Sequence, residues 1–345
     1  MKMLTVPKPF SAGILLSYKC TNECKHCMYA CSPHWNADWL AESDAEQILT
    51  QLARSIEGSP WGGEKVGVNY GVHFTGGEPF LNFNLLLNLT EIAQSLQIPS
   101  TFTETNCYWC TRDDQVKDRF KQLKAKGLKG ILLSANPFTV EQIPFERIER
   151  AIKIGKEIFG ENVMVYNNLF FTQLRILNIK QTLSFRDYLS LMKKKNPLGL
   201  QYGLSYPSIF PMARVPYKLG HLYRKYPPKT LFGESCIDEL KRPWHIHIDN
   251  YGNYIPGYCA GISLGNATNL NSINQINLED YPILNALTTD IEALYHIGIK
   301  EFEYEERSKG YISKCHLCVD IRKYITQKTT KLKELRPLEF YSHLE

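Results

Sequence analysis

Long apolar runs are missing from this 345-residue sequence. The apolar stretch nearest the N-terminus, Ile14 to Leu16, is too short for the h-region of a signal peptide, and a polar Ser-Tyr-Lys-Cys follows it directly. No stretch reaches the length needed to span a bilayer. Internal repeats and low-complexity segments are absent too. Charge of one sign is scarce: the net charge is +5 and the basic residues are scattered, which argues against nucleic acid or a membrane as partner. The densest basic cluster, Lys193 to Lys195, reads as a solvated helix face. Together these absences lead us to expect a soluble, cytoplasmic protein.

Cysteine, by contrast, is plentiful. Ten cysteines fall in short, clustered spacings with no export signal, a pattern that favours metal or redox chemistry over disulfides.

From Gly13 to about Ser205 short apolar runs alternate with amphipathic segments. The runs predict strands at Gly13–Ser17, Asn69–Phe74, Ser100–Thr105, Gly130–Ser134, Val163–Asn167 and Leu198–Leu204. Helical patterns lie near Asp44–Ile56, Asn84–Leu96, Asp113–Lys126, Phe145–Ile158 and Phe185–Lys194. Ser43 with Glu46, and Thr111 with Asp114, have capping-box spacing, and Gly127 fits a helix stop. Repeated strand–helix units imply a parallel sheet. Six units are too few for a closed eight-fold barrel. The expected fold class is therefore α/β, an open partial (β/α)6 TIM-like barrel over residues 13–215, with its chemistry at the C-terminal ends of the strands. A proline-crowded segment, 216–235, reads as a linker. Beyond it, Trp244–Asp249 and Tyr254–Ile255 flank a turn in which Gly252 supplies a positive φ, so a small C-terminal domain of a β-hairpin plus helix is expected over 236–325, with a tail at 326–345.

Cys20-Thr-Asn-Glu-Cys24-Lys-His-Cys27 is a C-x3-C-x2-C array on the loop after the first strand. Three thiolates on one loop can ligate three irons of a cubane and leave the fourth iron open to an exchangeable ligand, whereas ferredoxin-type loops close the cluster with a fourth cysteine. Zinc usually takes four protein ligands, often as two C-x2-C pairs. Cys31, four residues on, is the one residue placed to close the set. After the second strand, Gly76-Gly77-Glu78-Pro79 lets a ligand approach the backbone and presents a carboxylate beside it.

These two elements together resemble the radical S-adenosylmethionine (SAM) superfamily over roughly residues 13 to 215. The resemblance implies SAM bound to the open iron, with Gly76, Gly77, Glu78 and Pro79 at its methionyl end, and one-electron cleavage to methionine and a 5′-deoxyadenosyl radical. The cofactor carries the hard chemistry and the protein positions it. His26 departs from the larger aromatic that usually precedes the third cysteine, though imidazole also packs against adenine. Glu104 and Asn106, Ser134, Asn167 or Asn168, and Arg214 in Pro211-Met-Ala-Arg214 are similar to further SAM-contacting positions. A flavodoxin- or ferredoxin-type electron donor is implied as well.

Four more cysteines, Cys236, Cys259, Cys315 and Cys318, satisfy either a second [4Fe–4S] cluster or a structural zinc. The hairpin, Cys259, Gly265-Asn266 and the distal Cys-x-x-Cys resemble the auxiliary-cluster domains of the SPASM and twitch type, and four cysteines match the shorter twitch form. Such a cluster relays an electron or holds the domain together. Cys31, Cys107 and Cys110 remain. If they converge at the barrel mouth, they form a third metal site, a redox pair or a hydrogen-atom donor; otherwise they are inert core residues. Trp35, Trp39, Trp61 and Trp109 are candidates to line a substrate pocket. His73 reads as a satisfied core histidine, and His245 and His247 as strand residues that only secondarily suggest ligands. Cys27-Met-Tyr-Ala-Cys31-Ser-Pro33 looks like a run found in peptide-epimerising members, so a peptide substrate is expected. The alternatives are a sugar- or cyclitol-type small molecule or, in another class, a non-catalytic iron–sulfur or zinc protein.

Overall fold

The computed structural model describes residues 2–345. Its strands are β1 (Met3–Thr5), β2 (Ser11–Leu15), β3 (Gly71–Thr75), β4 (Phe102–Thr105), β5 (Gly130–Ser134), β6 (Val163–Tyr166), β7 (Ile246–Ile248), β8 (Tyr254–Ile255) and β9 (Gln275–Asn277). Its α-helices are α1 (Glu42–Leu52), α2 (Phe83–Ser95), α3 (Asp113–Ala125), α4 (Pro137–Val140), α5 (Phe145–Phe159), α6 (Asn168–Ile176), α7 (Phe185–Lys195), α8 (Pro197–Gly203), α9 (Val215–Lys218), α10 (Ile237–Leu240), α11 (Pro282–Thr289), α12 (Ile291–Phe302) and α13 (Lys314–Lys328). None of them is long and apolar enough to cross a membrane.

A mixed α/β architecture with a central parallel sheet results. The seven-stranded sheet has the order β6-β5-β4-β3-β2-β7-β8, parallel from β6 through β7 and antiparallel only at the β7–β8 hairpin. All five residues of β2 and of β3 are buried, as strands covered on both faces must be. The register places Gly13 between His73 on β3 and His247 on β7. β1 pairs with β9 in a separate two-stranded ribbon.

Five of the six expected strands form, within two residues of their predicted ends. The sixth, Leu198–Leu204, is a helix instead. Its i, i+2 apolar spacing suggested a strand, but Asn196 caps it by accepting from the Gly199 amide and Pro197 occupies the first turn. Leu198 and Tyr202 are 67 % and 68 % exposed, so the segment has no buried face for a strand to supply. The sixth parallel strand is β7, from the predicted hairpin, and it adds beside β2 at the opposite edge of the sheet. The hairpin thus extends the central sheet rather than founding a separate one, and Gly252 takes φ +77° in its turn as expected. The expected linker is likewise well packed at its start: Pro216 is buried and Leu219 fully so. Neither capping box forms. α1 starts one residue before Ser43, and α3 starts after Arg112, with no side-chain cap at either end. Gly127 stops α3 with φ +104°.

Candidate functional site

The three proximal cysteines sit on a loop that is tied at both ends. Lys19 bridges to Ser32, and the Cys20 amide donates to the Ser32 carbonyl at 3.1 Å. The glycine turn lies directly against this base. The Gly77 amide donates to the Ser17 carbonyl at 2.8 Å, and the Glu78 amide to the Lys19 carbonyl at 3.0 Å. A Cβ on Gly77 would fall on the Lys19 carbonyl, and one on Gly76, at φ +128°, would meet the Ser17 carbonyl. Only glycine lets the two segments approach this closely.

Around the sulfurs lie polar N–H groups. The Cys20 sulfur is 3.4 Å from the Asn22 amide and 3.6 Å from Asn106 Nδ2, and the Cys31 amide is 3.3 Å from the Cys27 sulfur. Such donors stabilise thiolate ligands and tune a bound metal. Burial pushes the Cys24 thiol up to about 12, with the neighbouring Cys27 adding to it. Metal binding at this loop must therefore displace protons.

Cys20, Cys24 and Cys27 line one cavity with Gly76, Gly77 and Pro79, and the same cavity reaches Asn106, Glu104 and Ser134. His26 joins it, stacked on Phe138 at 4.5 Å between ring centroids. Three predicted SAM contacts are placed otherwise. Glu78 is buried with both oxygens engaged: Oε1 accepts from the Phe80 amide and Thr105 Oγ1, and Oε2 from the Asn106 amide at 2.7 Å. Its carboxylate ties the end of β3 to the end of β4. Asn167 caps α6 by accepting from the Phe170 amide at 2.9 Å. Arg214 is fully buried and faces the loop's carbonyls. Nη1 donates to Cys24 and Cys31, Nη2 to Ala30, and Nε to His343 near the C-terminus.

The leftover thiols divide. Cys31 lies beside Cys27 and faces the cavity, while Cys107 and Cys110 are fully buried elsewhere as a neighbouring pair. The tryptophans do not line this cavity. Trp35 stacks on Tyr18 at 4.1 Å, Trp109 on Phe80 at 4.4 Å, and Trp61 is 77 % exposed. Tyr29, Tyr166, Phe210 and Tyr258 supply the aromatic wall.

The four distal cysteines line a second, larger cavity of about 810 Å³. Cys315 and Cys318 occupy the first turn of α13, where the helix dipole favours thiolates, and Ser313 caps that turn by accepting from the His316 amide. Cys236 immediately precedes α10, its amide donating to the Leu287 carbonyl at 2.8 Å. Burial and then the neighbouring thiols Cys236, Cys315 and Cys318 push the Cys259 thiol well up. Phe210 and Tyr258, 4.9 Å apart between centroids, line both cavities and form the partition between them.

Two features escaped the sequence reading. Arg242 is buried among Trp244 and Tyr258, with cation–π distances of 4.3 and 4.1 Å, and its Nε and Nη2 have no hydrogen-bond partner. It faces the distal cavity. The second feature is His73, which is not the satisfied core residue expected: it is buried, yet neither ring nitrogen has a hydrogen-bond partner. Each unpartnered buried polar group costs about 1–3 kcal/mol. The second feature brings together strands far apart in the chain, so no local spacing could announce it.

No family model matches the sequence, and no curated protein matches it. Solved structures give weak likenesses. The chain is similar to BtrN in complex with AdoMet and 2-DOIA, at TM-score 0.45 and 12 % identity over 82 % of this chain and 88 % of that one. It is similar to native anSMEcpe with bound AdoMet, at TM-score 0.46 and 13 % identity over 93 % and 98 %. It is also similar to Streptococcus suis SuiB bound to precursor peptide SuiA, at TM-score 0.33 and 16 % identity over 74 % and 61 %. At these scores the functional reading rests on the site's own residues.

Proposed function

We propose that this protein is a radical SAM enzyme with two [4Fe–4S] clusters, one on Cys20, Cys24 and Cys27 and an auxiliary one on Cys236, Cys259, Cys315 and Cys318. The observation that carries the reading is the contact between the three-thiol loop and the Gly76-Gly77 turn, both facing one cavity. The donor chemistry fits. Zinc at about 2.3 Å from four thiolates sets sulfurs about 3.8 Å apart. Three ligand atoms mutually within 4.8 Å occur, among the described residues, only in a histidine set, so neither thiol set is drawn in that tightly.

When bound, the proximal cluster and SAM supply reductive cleavage to methionine and a 5′-deoxyadenosyl radical that abstracts a substrate hydrogen atom. The chain's own residues do the positioning. Arg214 fixes the loop, Gly76 and Gly77 admit the methionyl end, His26 and Phe138 offer a stacking surface, and the Phe210–Tyr258 partition separates the two centres. The distal set has no thiol to spare and serves electron relay or structure, with a flavodoxin- or ferredoxin-type protein as donor.

We read the substrate as a peptide, on the strength of the Cys27-to-Pro33 run and of Cys31, which faces the cavity as a candidate hydrogen-atom donor. The small-molecule reading is favoured by one specific feature: Thr75, Glu104, Ser134 and Tyr166 give the inner cavity the polar wall a sugar or cyclitol needs. Anaerobic reconstitution followed by dithionite and SAM tests the enzyme reading. The wild type should release 5′-deoxyadenosine and Cys24→Ala should not. An iron-replete wild type that makes none, with peptides or polyols present, would leave a non-catalytic iron–sulfur protein in its place.

A further inference from the structure

The floor of the proximal cavity holds a cluster that neither thiol set uses. His73 on β3, and His245 and His247 at the start of β7, offer three ring nitrogens that all lie within 4.8 Å of one another. The rings are in mutual contact, with centroids 4.9 to 5.3 Å apart. All three are buried, and the cavity reaches His245 and His247.

Gly13 makes the cluster possible. It lies between His73 and His247 in the sheet register, and a Cβ there would strike the rings of both. The residue that usually separates two neighbouring strand side chains is thus missing at the point where the imidazoles meet.

Ordinary packing does not account for the nitrogens. His73 Nδ1, His73 Nε2 and His247 Nδ1 are buried without a hydrogen-bond partner. His245 is oriented differently: Nδ1 lies 2.9 Å from the Val68 carbonyl, which accepts its proton and leaves Nε2 as a lone-pair donor. Backbone carbonyls fix metal-binding imidazoles in this way. A carboxylate is also at hand. Glu104 Oε1 is 3.6 Å from His73 Nε2, and its other oxygen accepts from Thr75 Oγ1 at 2.8 Å.

We propose that His73, His245 and His247 form a mononuclear site for a divalent transition metal of the zinc or ferrous class, with Glu104 beside His73 and outside the ligand set. Imidazole suits these metals, and tetrahedral bonds of about 2.0–2.1 Å need nitrogens about 3.3 Å apart, so binding would draw these nitrogens in from the 4.8 Å within which they lie. The site is separate from both thiol sets and does not depend on the radical SAM reading. It ties β2's two neighbours, β3 and β7, across Gly13.

Cobalt(II) is the probe that distinguishes nitrogen from sulfur ligation. The full-length protein is reconstituted anaerobically with iron and sulfide, so that the thiols are occupied, then titrated with cobalt(II) and desalted. One equivalent should remain, with ligand-field absorption but no sulfur-to-cobalt charge transfer, and X-ray absorption should show only nitrogen and oxygen neighbours. His247→Ala and His73→Gln should each weaken binding at least tenfold while iron content stays at the wild-type level, and Cys315→Ala should leave cobalt bound. A wild type that retains no cobalt, a sulfur-ligated spectrum, or histidine variants that bind as well as the wild type would overturn the site. If a histidine variant loses its iron and fails to fold, the wild-type spectrum alone still decides.

Discussion

The two thiol sets are built in opposite ways. The proximal set is local: three cysteines within eight residues of sequence, on a loop closed by the Lys19–Ser32 bridge and braced from behind by Arg214. The distal set is assembled by the tertiary fold. Cys236 precedes α10, Cys259 follows the hairpin, and Cys315 and Cys318 begin α13. Loop geometry positions the first set, so apart from its Arg214 brace it should survive damage elsewhere in the chain. Helix packing positions the second, so it should fail whenever α11 to α13 loosen.

The sharpest test of that contrast is to remove one ligand from each set. Cys24→Ala should abolish 5′-deoxyadenosine formation and lower iron by about half, from about eight to about four per chain. Cys315→Ala should lose a similar share of iron and yet keep detectable SAM cleavage. If Cys315→Ala is as dead as Cys24→Ala, the sets are not independent. Next in size is Arg214→Met, which strips four backbone carbonyls of a buried charged donor. It should destabilise the protein by roughly 3 kcal/mol, read by denaturant titration, and the proximal iron should be lost first. Gly77→Ala comes third. The added methyl must displace the Lys19 carbonyl, at about 1–3 kcal/mol, and SAM affinity by calorimetry should fall while distal iron is unchanged.

The smallest effect is expected at the joint between the regions. Asp249 accepts from Tyr18 near the proximal loop and from Asn253 in the hairpin turn. Burial raises its carboxyl to about 6, against which its hydrogen bonds act. A carboxyl raised in the folded state holds its proton where the unfolded chain has lost it. Stability should therefore decline between about pH 4 and pH 6 and level off above, by at most about 3 kcal/mol. Asp249→Asn should flatten that part of the profile, and an unchanged slope would assign it to other groups.

How much of this was legible follows the same divide. The cysteine loop, the glycine turn and five strands were readable because each is encoded within a few residues. Leu198–Leu204 misled because alternation signals a strand only when a sheet is there to bury one face. Glu78 and Arg214 were read as ligand contacts from the motifs that hold them; their side chains turn inward, to β4 and to the loop's carbonyls. Of the histidine trio only His245 and His247 suggested ligands in the sequence, and His73 read as core. His73 and His247 become neighbours only because β7 inserts beside β2, and no spacing in the chain encodes that insertion.

The β2–β7 pairing also sets a timetable. Ala12 is in register with Ile246, so one edge of the first barrel strand must wait for a partner made more than two hundred residues later. On the ribosome, β2 through β6 can associate while that edge is still bare. Contacts this distant in sequence are slow to form, and bare strand edges invite aggregation. The cysteine loop thus emerges and can fold early, whereas the metal-binding floor beneath it is sealed only when the last third of the chain arrives.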